Sequence, residues 1–388
     1  MSIKIAKSDF EQALSVVGNS VARTGLDITS HLIFRVQDGK MTLFSNLNRV
    51  FGSCPAVVEV EGPEDQNVVF TIQATRVAKM LAAVGDGVLT LKLTRTGERV
   101  TEVEVEMDRG SIEFSSIDPG MFPFWDDMLA DAKETAIVAA DRLSAAFSHA
   151  KMFISSDDQK SPHLCVAEFR DGCLFSTDQT AVSTVWVEGM EKSAIRVHAK
   201  DLGAVIAFLD KADKTPVTIL EHERAMFIRR ADGAIFGETL FNARFPDFPV
   251  DRDAEDEFTW EIIREEFNAN LRLLLAGAND DNIIMTLTPR GNDLLMSMLS
   301  ASNKPMSLVL KSLKHTQKEG ATLPNGRFTI DPTRVMQAMS DHSSSTLTVG
   351  VTQRKKGGWL RVRDDRGTEP GTKDIILTTV AWQKTPNA

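Results

Sequence analysis

The residues that could do chemistry are few and scattered. The seven histidines, His31, His149, His163, His198, His222, His315 and His342, include no pair four apart. A zinc site needs ligands converging from short spacings, so no metal centre is expected. Cys54, Cys165 and Cys173 are odd in number and lack metal-ligand spacing. Cys165 and Cys173 flank a turn at Asp171-Gly172, but all three read as buried free thiols. There is no Gly-x-x-x-x-Gly-Lys loop to cradle a triphosphate and no Gly-x-Ser-x-Gly elbow. The carboxylate pairs Asp157-Asp158 and Asp280-Asp281 read as solvated turns. No catalytic residue and no cofactor is expected; what remains is binding.

The chain has 388 residues, with 42% hydrophobic and 25% charged, the mix of a folded protein of two or three domains. Its net charge of −10 argues against a protein that coats nucleic acid with a basic surface. Positive charge confined to one inner face stays compatible with it. No apolar run reaches the length of a membrane span, and the N-terminus lacks a signal-peptide pattern. A cytoplasmic protein without membrane contact is expected.

The elements that would position a binding surface recur. Phe70-Thr71-Ile72-Gln73-Ala74-Thr75-Arg76-Val77 matches Phe328-Thr329-Ile330-Asp331-Pro332-Thr333-Arg334-Val335 at six of eight positions. A weaker middle copy is Ile195-Arg196-Val197-His198-Ala199-Lys200-Asp201-Leu202, giving offsets of 125 and 133 residues. Such a period is the size of a domain. Before each copy, two apolar runs flank a turn: Asp38-Gly39, Asp171-Gly172 and Arg290-Gly291-Asn292. These read as antiparallel hairpins. After each copy comes a strand pair; in the first, Val103 and Val105 alternate with Glu102, Glu104 and Glu106, which marks one wet face.

Two helices per repeat are also legible. The first opens at Ser8 with Glu11 three residues on, a capping box, and carries Phe10, Leu14, Val17 and Val21 at helical spacing. Leu143, Phe147, Ala150 and Ile154 match it in the second repeat, and Ile263, Phe267, Leu271 and Leu274 in the third. The second helices are read over 75–84, 200–209 and 332–339, with Pro332 suited to a first turn. The fold class is therefore α+β: three tandem domains over 1–132, 133–253 and 254–388, each an antiparallel sheet with two helices on one face. The acidic run 251–257 reads as a linker.

Three such domains in tandem resemble the bacterial DNA polymerase III β-subunit, the sliding clamp, over the whole chain. Phe175-Ser176-Thr177-Asp178-Gln179-Thr180-Ala181-Val182 is similar to the family's Ala-Thr-Asp-Gly-His-Arg-Leu segment. Asn242-Ala243-Arg244-Phe245-Pro246-Asp247-Phe248 resembles its Gly-Arg-Phe-Pro-Asp-Tyr segment, and Ile117-Asp118-Pro119-Gly120-Met121-Phe122-Pro123 its exit from the first domain. The family's Gly-His-Arg is replaced by Gln179-Thr180-Ala181, and its short C-terminal tail by Ile375-Ile376-Leu377-Thr378-Thr379 running on to Ala388. Such divergence fits a phage or mobile-element clamp in an infected bacterial cell.

The resemblance implies a head-to-tail homo-oligomeric ring, a dimer of six domains, that encircles double-stranded DNA as a processivity factor. It implies three partners: duplex DNA, a DNA polymerase and a clamp loader. Phosphate contacts would come from the inner helices. The candidates are Arg23, Arg76 and Lys79; Arg142, Lys151, Lys200 and Lys211; and Arg264, Arg272 and Arg334. A peptide groove between the second and third domains would use Leu164, Thr177, Gln179, Ala181 and Val182, with Pro246, Phe248 and Val250, and Ile375, Ile376 and Leu377. The competing reading is a clamp-like adaptor that keeps the groove and does not encircle DNA.

Overall fold

The computed structural model describes residues 1–22, 28–62, 67–178, 180–243, 245–246, 256–278, 283–321, 327–340, 342, 344–354, 357–364 and 373–378. Three runs of elements share one plan. The first holds β1 (Ser2–Ala6), α1 (Lys7–Val17), β2 (His31–Gln37), β3 (Lys40–Leu47), β4 (Val50–Ala56), β5 (Val58–Glu61), β6 (Val68–Gln73), α2 (Ala74–Ala83), β7 (Val88–Thr96), β8 (Arg99–Met107) and β9 (Gly110–Ser115). A short helix, α3 (Asp126–Asp131), leads to the second. This holds β10 (Lys133–Ala139), α4 (Ala140–Ala150), β11 (Val166–Arg170), β12 (Cys173–Thr177), β13 (Ala181–Trp186), β14 (Arg196–His198), α5 (Leu202–Asp210), β15 (Pro216–His222), β16 (Ala225–Arg229) and β17 (Ile235–Thr239). The third holds β18 (Phe258–Ile263), α6 (Arg264–Gly277), β19 (Met285–Arg290), β20 (Asp293–Leu299), β21 (Pro305–Leu310), β22 (Ser312–Gln317), β23 (Phe328–Ile330), α7 (Pro332–Ser340), β24 (Thr346–Arg354), β25 (Gly357–Asp364) and β26 (Lys373–Thr378).

The helices form where the apolar spacing placed them, with corrections at their ends: Val21 and Ile154 lie beyond the last residues of α1 and α4, each after a short 3-10 turn. Helix α1 begins at Lys7, one residue before Ser8, and its N-cap Ala6 makes no side-chain hydrogen bond. Strand β1 runs straight into it, and the Lys7 N–H donates to the Gly87 carbonyl at 2.9 Å. A backbone carbonyl thus satisfies a helix-start donor that a capping box would otherwise serve. Phe10 and Val17 are buried as expected, joined by Ala13 and Val16. Phe267, Leu271 and Leu274 line the buried face of α6, whereas Ile263 is its N-cap and 39% exposed. Pro332 opens α7.

The chain divides into two compact units, Met1–Ser144 with Lys192–Asn242, and Ala145–Glu191 with Ala243–Ala388. In the first unit one antiparallel sheet runs β10-β15-β16-β17-β4-β3-β2-β6, and a second runs β5-β1-β7-β8-β9. In the other unit the run β11-β12-β13-β26-β25-β24-β18-β22 lies beside a separate sheet, β21-β20-β19-β23. Each long run is two half-sheets joined at one strand pair. Strand β17 meets β4, with Gly237 opposite Phe51. Strand β26 meets β13, with Ile376 opposite Val182.

The core of each unit is aromatic. Phe34 stacks on Phe70 at 4.8 Å and receives the edge of Phe10 at 5.8 Å in the first unit. In the other, Trp260 is fully buried and stacks on His315 at 4.9 Å. All three cysteines are buried free thiols. The run read as a linker ends inside the fold. Asp256 is buried, with Arg363 Nη2 3.2 Å from its carboxylate and Thr352 Oγ1 donating to it at 3.2 Å. Residues 251–255 and Asp280-Asp281 lie outside the described residues.

Candidate functional site

The residues expected to line a peptide groove centre on the β12–β13 hairpin. Thr177 Oγ1 donates to the Ala181 carbonyl at 2.7 Å, closing the turn. Asp178 Oδ1 accepts from Thr180 N at 2.9 Å, Thr180 Oγ1 at 2.8 Å and Ala181 N at 3.0 Å. A short aspartate gathering local N–H groups is what fixes such a turn. The other Asp178 oxygen pairs with Arg334 of α7, which also donates to Gln337 at 3.0 Å. Sequence reasoning missed this ion pair, since 156 residues of chain separate its partners and leave no local signal.

Leu164, Thr177, Ala181 and Val182 are 2%, 0%, 0% and 6% exposed, so in the free chain they back the hairpin and leave its open face to Thr180. Pro246 is half-buried beside Phe245, whose carbonyl accepts from Arg170 Nη2 at 3.0 Å and whose ring lies 5.3 Å below that guanidinium. Strand β26 places the backbone of Ile375, Ile376 and Leu377 opposite Ser183, Val182 and Ala181. Gln179, Phe248 and Val250 lie outside the described residues.

The basic candidates fall into two groups. Arg76 and Lys79 share the exposed face of α2, opposite buried Val77, Met80 and Leu81. Arg142 on α4, Lys151 just after it, Lys200 before α5 and Arg272 on α6 are exposed too. Three others are engaged inside the fold. Lys211 donates to the Ser15 carbonyl at 2.7 Å, and burial, then the Arg230 charge, lower its ammonium below the ordinary range. Arg264 Nη1 donates to the His342 carbonyl, and Arg334 holds Asp178. Arg23 lies outside the described residues.

The first unit has a counterpart to the Asp178–Arg334 contact. Arg49, at the tip of the β3–β4 hairpin, lies 2.6 Å from Asp201 and 3.0 Å from His198 Nδ1. Asp201 and Arg334 hold the same position in the sequence repeat, so both contacts join a hairpin tip to a second helix, with the charges exchanged. Glu238 is fully buried beside them and accepts from His198 N at 2.9 Å. Burial, then the Asp201 charge, raise its carboxyl well above the ordinary range.

No protein-family model and no curated protein sequence matches the chain. Solved structures do. The DNA polymerase III subunit beta from Pseudomonas aeruginosa superposes with a TM-score of 0.79 at 12% identity, over 98% of this chain and 100% of that one. The chain has the fold of the bacterial sliding clamps. The DNA polymerase sliding clamp from Bacillus subtilis gives 0.78 at 13% identity, over 99% of this chain and 100% of that one. The Helicobacter pylori beta clamp bound to a DNA ligase peptide gives 0.75 at 15%, over 98% and 100%. The clamp fold fits the three-run plan, since it extends over nearly the whole chain. Among the described residues no cluster of metal-ligating side chains occurs, and no helix is long and apolar enough to cross a membrane.

Proposed function

We propose that two copies of this chain close head-to-tail into a ring that encircles duplex DNA and tethers a polymerase through the β12–β13 groove. The chain would act without catalysis, as three clamp domains over 1–132, 133–253 and 254–388. The observation that carries this reading is a pair of unjoined half-sheets. In repeat order, β17 and β26 correspond to β9, and β4 and β13 correspond to β21. The first two sets are joined within the chain. Strands β9 and β21 end their sheets. Joining β9 of one copy to β21 of a second repeats the same junction and closes the ring.

Side chains support this. Leu273 on α6 is 64% exposed, while its repeat equivalents Val16 and His149 are 3% and 0% exposed. A cavity of about 760 Å³, bordered by Met80, Ala83, Val84, Val88 and Ile112 next to β9, is ready to receive Leu273 of a second copy. Ser15 and Lys211, in contact within the first unit, correspond by repeat to Arg272 and Asp86. Those two have opposite charge and would meet across the new junction. Arg272 then closes the ring instead of facing DNA. Arg76, Lys79, Arg142, Lys151 and Lys200 have exposed side chains and remain the candidates for phosphate contacts.

A DNA ligase peptide on the Helicobacter pylori clamp supports a peptide partner for the groove here. Loss of the family's Gly-His-Arg means that the peptide differs from the usual bacterial one. The adaptor reading draws on the engagement of Lys211, Arg264 and Arg334 inside the fold. Loading onto nicked circular plasmid with the cognate loader, followed by linearisation, separates the two. A ring stays on the circle and slides off the linear product. An adaptor binds polymerase peptide and is retained on neither, and that result would overturn the proposal.

A further inference from the structure

Each run of elements opens on a strand that leads straight into a helix: β1, β10 and β18. Three residues before the helix stand Lys4, Ile137 and Glu261, each between two buried neighbours. All three lie opposite a threonine of the next strand, Thr90, Thr218 and Thr348. They therefore hold equivalent positions.

Two of these strands are covered on their other side. Strand β5 pairs antiparallel with β1 and sets Glu59 opposite Lys4, whose ammonium also bonds Glu61. Strand β22 pairs antiparallel with β18 and sets Lys314 opposite Glu261. Both covering strands come directly after equivalent strands, β4 and β21. In the second run the corresponding residues 187–195, after β13, form no strand. Strand β10 ends its sheet, and among the described residues no backbone hydrogen bond reaches its other side. Ile137 is 58% exposed. A bulge between Glu134 and Ala136 leaves Ala136–Ala139 as the regular part of the edge, with neither a proline nor a charge in it. Those are the usual devices that blunt a free edge, whose unpaired N–H and C=O groups otherwise invite another strand.

We propose that the free edge of β10 takes an extended segment of a partner protein as an added antiparallel strand, with a β-branched apolar residue opposite Ile137. Strands β5 and β22 supply the template for both the direction and the register. In each, the residue set opposite the equivalent side chain complements it, acid to base or base to acid. The complement of Ile137 is apolar. Backbone hydrogen bonds give such binding its affinity, and the side chains opposite give it selectivity. A second copy does not fit: twofold pairing about Ala136 sets Lys133 opposite Ala139 and Glu134 opposite Val138, with no charge matched. The edge lies wholly within the first unit and is separate from β9 and β21, which the proposed ring uses.

The test titrates the full chain into a fluorescein-labelled Ser-Thr-Thr-Val-Thr-Thr-Ser peptide and follows anisotropy. Saturation is expected, and a probe with Glu in place of Val should bind about threefold more weakly. Ile137→Lys gives β10 the side chain that β1 carries, and should reverse that order. Two N-methylated probes, one for each set of alternate amides, are titrated with the wild-type chain. One should bind about tenfold more weakly and the other like its parent, since a strand turns only alternate amides towards a given neighbour. Absence of saturation would overturn the proposal. So would equal binding of the two N-methylated probes, or an order of the Val and Glu probes that Ile137→Lys leaves unchanged. Self-association that is lost in Ile137→Lys while no probe binds would also overturn it, and would give the edge to a second copy. Circular dichroism confirms that Ile137→Lys is folded; should it not fold, the N-methylated pair decides alone.

Discussion

Gly237 has no side chain because Phe51 occupies the space. A Cβ at Gly237 would meet the Phe51 ring at 1.9 Å, and that ring is held from behind by Trp125 at 4.7 Å and Phe227 at 5.6 Å. Gly237→Ala should therefore destabilise by about 1–3 kcal/mol, the usual cost of overpacking. A urea midpoint that falls at constant slope would show it. Glu238 next to it makes a pH prediction. Its raised carboxyl keeps a proton that the unfolded chain loses above about 4.5, its ordinary value. Stability tied to that proton is full below this value and is lost as pH rises through the folded one. Glu238→Gln keeps an oxygen for the His198 N–H and carries no charge. It should melt higher than wild type at pH 8, with the gap closing towards pH 4.5. Parallel melting curves across that range would mean that the Glu238 carboxyl is not raised.

At the scale of elements, the hairpin tip at Asp178 is the piece to probe. Asp178→Ala removes three hydrogen bonds and the Arg334 ion pair. It should cost about 1–3 kcal/mol, since hydrogen bonds to a charged group exceed neutral ones. Binding of a polymerase-derived peptide should weaken with it, and Arg334→Ala should reproduce only part of the loss. Isothermal titration with that peptide checks both. Much of this scale was legible beforehand. Asp-Gly turns marked two hairpins, and Phe267, Leu271 and Leu274 marked the buried face of α6. The leading strands β1, β10 and β18 were not, because each runs into a helix with no turn residue between them. Nor were the strand pairs at β17–β4 and β26–β13, because pairing distant in sequence imposes only a burial pattern, not a partner. At the candidate site, apolar residues such as Leu164 and Val182 suit a groove or a core alike, and both are buried in the free chain.

For the whole molecule, charge reversal tests the proposed ring. Asp86→Arg should separate a dimer into monomers by placing two cations at each junction, and Arg272→Asp should do so with two carboxylates. The double variant Asp86→Arg/Arg272→Asp should restore the dimer. Sedimentation at micromolar concentration reads all three. Monomers in the double variant would place the junction elsewhere. Leu273→Glu should abolish dimerisation while the single chain stays folded by circular dichroism, because Leu273 is already exposed in the single chain.

The exchanged charges at the two hairpin tips bear on how the chain reaches this state. A polypeptide that makes the same domain three times risks docking the wrong halves together as it folds. Arg49 accepts Asp201 and would repel Arg334; Asp178 accepts Arg334 and would repel Asp201. Each tip thus rejects the helix that belongs to the other, and repulsion discriminates between look-alikes where attraction alone cannot. Two ion pairs of opposite polarity thus distinguish two junctions that share one plan.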